Sequence, residues 1–105
     1  MNKNPMLNIF ISENEIKTLK DNTLISFALL KKMVIAIQLA KQKRTAIKRI
    51  KVSFSFKELD RIISVIADKA NQKNSPDDIQ CTLDNMFGRF ADKYNITMNT
   101  SRKIR

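Results

Sequence analysis

Arg49, Lys51 and Ser53 alternate with Ile50, Val52 and Phe54 within the stretch Arg44 to Phe56. Side chains along a strand point to opposite faces in turn, so this spacing puts three hydrogen-bond donors on one face and three apolar groups on the other. Donors in such a row suit nucleic-acid bases: Arg and Lys donate to guanine O6 and N7, and Ser can meet several base edges. A two-stranded ribbon is narrow enough to enter the major groove of B-DNA. Lys43, Arg44, Lys48 and Lys57 surround the row and could contact phosphates without regard to sequence. The expectation is a base-reading set, Arg49, Lys51 and Ser53, with those four as phosphate contacts.

Catalysis has few groups to draw on. The chain has no His, one Cys and one Gly. The usual general base and commonest metal ligand are therefore missing, as is a thiolate cluster for zinc. A lone Gly88 cannot build a phosphate-cradling loop. Glu15, Glu58, Asp77 and Asp78 all fall in first helical turns, where capping explains them. No enzyme activity, catalytic residue, metal or cofactor is expected.

The charge balance points the same way as the row of donors. Twenty Lys and Arg stand against ten Asp and Glu, a formal net charge of +10, and such a chain seeks polyanions. No acid occurs between Asp21 and Glu58, a span that includes the ribbon and all four of its flanking cations. The lone Cys81 suits a reducing compartment, and no segment reads as a secretory signal. Leu24 to Ala40 is apolar, yet Lys31 and Lys32 interrupt it and it is short for a membrane span. The reading is a cytoplasmic protein with no membrane partner.

The elements that must position the row follow from local signals. Leu7, Ile9 and Ile11 alternate with Asn8 and Phe10 as a first short strand. Ser12 with Glu15 forms a capping box, and Ile16 and Leu19 share a face of a short helix. Thr23 to about Lys43 reads as a long helix that is apolar all round and so buried all round, which calls for a partner subunit. After the basic strand, Ser55 with Glu58 repeats the capping box and opens a helix from Phe56 to about Asn71. Ser75 then offers a capping hydroxyl before Pro76 at the first helical position, starting a helix to about Tyr94. Cys81 falls near the Ile79 and Leu83 face as a core thiol, Gly88 marks a close helix crossing, and a basic tail follows from Asn95.

The halves look alike. Leu7-x-Ile9-x-Ile11-Ser12-x-x-Glu15 matches Ile50-x-Val52-x-Phe54-Ser55-x-x-Glu58 at a constant separation of 43 residues. This suggests a tandem strand–helix–helix repeat within a single domain over 1–105: a first half over 1–43, a second over 44–94 and a tail over 95–105. If the first half is a copy, its strand is poor for reading DNA, because Asn8 and Phe10 take the outward positions.

Over about Lys48 to Tyr94 the pattern resembles the ribbon-helix-helix family of DNA-binding proteins, which includes the Arc and methionine repressors. The resemblance is carried by the ribbon KRIKVSF, the capping Ser55 before FKEL, and a second helix opened by Ser75. It implies a mainly α fold with one or two short β-strands, an intertwined homodimer, and base-reading residues at Arg49, Lys51 and Ser53. The family commonly has a short glycine-containing turn between its helices, where this chain has Asn71-Gln72-Lys73-Asn74. Tandem copies could instead pair within one chain. The functional expectation is a small DNA-binding transcriptional regulator or a plasmid or phage accessory factor, with double-stranded DNA as partner. The alternative is a basic helical adaptor or inhibitor that docks an acidic protein partner through the apolar helix.

Overall fold

The computed structural model describes residues 6–43 and 48–103, the last five through their backbone alone. The alternation at Leu7, Ile9 and Ile11 forms β1 (Met6–Ile11), and that at Ile50, Val52 and Phe54 forms β2 (Ile50–Ser55). Four helices complete the order: α1 (Glu13–Asn22) and α2 (Phe27–Gln42) after β1, then α3 (Phe56–Gln72) and α4 (Asp77–Lys103) after β2. The chain is mainly helical, with one small antiparallel sheet, and its elements run strand–helix–helix twice.

Both capping boxes are formed. Ser12 Oγ accepts from Glu15 N–H while Glu15 Oε1 accepts from Ser12 N–H, and Ser55 and Glu58 repeat this at the start of α3. Each box satisfies donors that a helix N-terminus would otherwise leave open, and fixes where strand turns into helix.

The strand register ties the two halves together. β1 and β2 pair antiparallel, with Ile9 opposite Val52, Leu7 opposite Phe54 and Ile11 opposite Ile50. Ile9 and Val52 are the residues that the 43-residue separation makes equivalent. The same separation exchanges the other two pairs. This is the register that a local two-fold axis between Ile9 and Val52 requires. Packing follows it, since α2 lies against β2 and α4 against β1. The six apolar strand side chains form one buried face, which joins Leu59, Ile62, Ile66, Leu83, Met86 and Phe90 in the core.

The halves differ in their helices. α3 has 17 residues against 10 in α1, and a helix rises about 1.5 Å per residue. The first helix is thus two turns too short to cover its neighbour. On α2 only Leu29 and Met33 are buried, while Phe27, Ile35 and Leu39 are exposed. The expectation of a helix buried on every side is corrected: within one chain, α1 and β2 cover one flank of α2 and the rest faces outward. Its start is corrected too. Thr23 closes α1, donating its N–H and hydroxyl to Leu19 O, and Ser26 caps α2. Leu24, between them, is 95% exposed.

Four readings of the second half also change. Pro76 O accepts the first helical bond of α4, from Gln80 N–H, so Pro76 lies one position before the helix and not at its first residue. Ser75 Oγ is buried without a hydrogen-bond partner and caps nothing. Cys81 is exposed, because the buried stripe of α4 runs through Leu83, Met86 and Phe90, and two residues from Leu83 is the far side of a helix. α4 continues to Lys103, so the segment from Asn95 extends the helix. The turn without glycine is closed by Lys73, which adopts the left-handed conformation at φ 52° and ψ 33° where glycine commonly sits.

Gly88 marks no helix crossing. It is exposed, and a Cβ placed on it meets nothing within 4 Å. Gly88→Ala therefore removes only the conformational cost of glycine in a helix. The expected gain is about 0.5–1 kcal/mol, read as a thermal midpoint raised by about 2–8 °C. A lowered midpoint would contradict the open surroundings of this position.

Candidate nucleic-acid interface

One face of the ribbon is sealed against the helices, so the other carries whatever chemistry the sheet offers. That outward face consists of Met6, Asn8 and Phe10 on β1 and Lys51, Ser53 and Ser55 on β2. Met6 and Phe10 are 52% and 54% exposed, and Asn8 and Lys51 are exposed as well. No acid lies among these six residues. The register sets Asn8 beside Ser53 and Phe10 beside Lys51. Ser53 Oγ donates a hydrogen bond to Asn8 Oδ1 across the strands. The bond occupies one lone pair of the amide oxygen and leaves the two amide N–H donors unused by this contact.

The residues predicted to read bases are only partly brought together. Lys51 and Ser53 share the outward face. Arg49 lies before β2, in an exposed bend with Lys48. It lines a hollow of about 340 Å³ between β1 and α4, together with Asn8, Phe10, Arg89, Lys93 and one acid, Asp92. It therefore extends the cationic end of the ribbon and adds no third rung to the row. Asn8 joins the face because its strand pairs with β2. The signal for that was the constant 43-residue separation, which points to pairing of the two strands once a two-fold relation is assumed.

Of the four predicted phosphate contacts, Lys48 is exposed in the bend beside the strand and Lys57 is exposed in the first turn of α3. Lys43 is exposed where it caps the C-terminus of α2. Arg44 lies outside the described residues. Lys57 also borders a hollow with Arg61, Ser26 and Glu58, where the start of α3 meets the start of α2.

The ribbon is held by charge at both ends. At one, the Arg89 guanidinium reaches from α4 to the Glu15 carboxylate at 2.6 and 3.1 Å and donates to Phe10 O at 2.9 Å. Arg89 thereby covers part of the open edge of β1, where unpaired strand groups invite another chain. At the other, Lys32 of α2 reaches the Glu58 carboxylate at 3.1 Å and stands 4.8 Å from the centre of the Phe54 ring. Each half's capping Glu thus takes its cation from the second helix of the other half. Burial pushes the Glu15 carboxyl up, but the Arg89 bond, the Ser12 N–H and the charges of Arg89 and Arg49 outweigh it and hold the carboxyl below its ordinary value. Glu58 is also held low, first by the Ser55 N–H and then, against a smaller effect of burial, by Lys32.

Among the described residues no group of three or more His, Cys, Asp or Glu could hold a metal ion, and no helix is long and apolar enough to cross a membrane. No protein-family model matches the chain, and neither curated proteins nor solved structures include a significant match.

Proposed function

We propose that this chain is a small basic DNA-binding protein, a regulator or an accessory factor, that lays its β1–β2 ribbon in the major groove. The observation that carries this reading is the outward ribbon face. It presents donors and no acid, Met6, Asn8, Phe10 and Lys51 are exposed on it, and the exposed Lys48 and Arg49 precede β2 while the exposed Lys57 follows it. In this reading the fold is of ribbon-helix-helix type, with both strands supplied by one chain. Lys51 and Asn8 meet base edges, Asn8 against the expectation of a poorly reading strand because Ser53 orients its amide; Phe10 suits a thymine methyl, and Lys43, Lys48, Arg49 and Lys57 neutralise phosphates.

A second reading rests on a different surface. Phe27, Ile35 and Leu39 are exposed on α2 with Lys31 among them, a stripe that suits the apolar face of an acidic helical partner. The same stripe is where a homodimer would close, because the ribbon already finds both strands within one chain.

An NMR titration with a short duplex separates these readings. The DNA reading expects the largest amide shifts at Asn8, Phe10, Lys51 and Ser53, with little change on α2. Shifts centred on Phe27 to Leu39 would move the interface to the helix and contradict the ribbon mode.

A further inference from the structure

We infer that the DNA site read by this ribbon is not palindromic: one end takes a guanine through Lys51 and the other an adenine through Asn8. The inference rests on the ribbon reading above and goes further, because it follows from how the two strands differ. A site mirrors the symmetry of the protein that reads it, so a ribbon of two identical strands meets two identical half-sites. Here the backbone obeys the two-fold relation through Ile9 and Val52, but the outward side chains do not. The relation makes Asn8 equivalent to Lys51 and Phe10 equivalent to Ser53. An amide therefore answers an ammonium, and a phenyl ring answers a hydroxyl.

Each end has its own chemistry. Beyond the axis on one side lie Phe10 and Lys51, with Arg49 and Lys48 continuing the chain outward. That end is cationic and suits guanine O6 and N7, with the Phe10 ring beside a thymine methyl. On the other side lie Asn8 and Ser53, joined by the Ser53 hydroxyl proton. An amide oxygen has two lone pairs. With one taken by Ser53, Asn8 keeps an acceptor for adenine N6–H and a donor for N7, the bidentate pairing an amide makes with that base. Ser53 is thereby a positioning residue for Asn8 and not itself a reader. Outward side chains two residues apart on a strand are about 6.8 Å apart, roughly two base-pair steps, so the asymmetry falls within one short site. Two chains associated through α2 would place two such elements, each still asymmetric.

The test is selection from duplexes with a randomised core of about six base pairs, which admits one ribbon. The wild-type chain is compared with Asn8→Ala and with Asn8→Lys/Phe10→Ser, which matches the four outward residues nearest the axis under the two-fold relation and leaves Met6 against Arg49 beyond them. The expected wild-type consensus is non-palindromic, with G toward one end and A toward the other. Asn8→Ala should reduce the preference for A by about 5- to 150-fold and leave that for G. Asn8→Lys/Phe10→Ser should turn the consensus into a palindrome with G at both ends. A palindromic wild-type consensus, or duplex binding without base preference, would overturn the inference while leaving DNA binding intact. No duplex binding at low salt would overturn it together with the reading on which it rests.

Discussion

Phe54→Ala is expected to remove about 3–5 kcal/mol of stability, the range for deleting a fully buried ring, and Phe10→Ala less than about 0.5 kcal/mol. The two rings belong to the same small sheet. Phe54 is 0% exposed, sits opposite Leu7 and lies under the Lys32 ammonium, whereas Phe10 is 54% exposed opposite Lys51. Against a total stability of about 5–15 kcal/mol, the first change takes a large fraction and the second almost none. Urea unfolding followed by circular dichroism reads both. Because a one-residue slip of register turns every strand side chain to the other face, equal losses in the two variants would contradict the register that defines the outward face.

Glu15→Gln should be the most damaging change among the charged groups, costing about 2–3 kcal/mol. Glu15 is 7% exposed, and its carboxylate serves two purposes at once. It accepts the Ser12 N–H that starts α1, and it binds the Arg89 guanidinium that ties α4 to the edge of β1. A glutamine keeps the shape but leaves a charged guanidinium only partly compensated. The pH dependence follows from the direction of the shifts. Glu15 and Glu58 are both held below the ordinary value of 4.5, so the folded state binds fewer protons than the unfolded state near that pH. The stability they confer is fully present above that value and is lost as the pH falls through their lower folded values. Unfolding free energy measured from pH 6 downward should therefore drop below about pH 4.5, and less steeply in Glu15→Gln. Identical acid profiles for the two proteins would contradict the role given to this pair.

The parts of this molecule that could be read from its sequence are those set by neighbours within four residues. Ser12 with Glu15 and Ser55 with Glu58 announce their capping boxes, and the alternation from Ile50 to Phe54 announces both faces of β2. Where two local signals competed, the sequence did not decide. Thr23 and Ser26 can each cap a helix, and closing α1 with Thr23 left Ser26 to open α2. Ser75 has the side chain of a cap, but the bond it would accept is not made. The exposed stripe of α2 depends on the length of another helix, α1, which a pattern within α2 cannot reveal. Asn8 is the instructive case for the candidate interface. Its outward direction was legible from the alternation, but its value depends on Ser53, 45 residues away, and only the register brings the two together.

The ribbon as a DNA-contacting surface is tested most directly by fluorescence anisotropy of a short labelled duplex over a salt series, for the wild type and Arg49→Ala/Lys51→Ala. The logarithm of the association constant should fall linearly with the logarithm of salt concentration. The double variant should bind at least about tenfold more weakly, with a shallower salt dependence. Unchanged affinity in the variant would contradict the ribbon as the contacting surface, and no binding at low salt would contradict DNA recognition altogether.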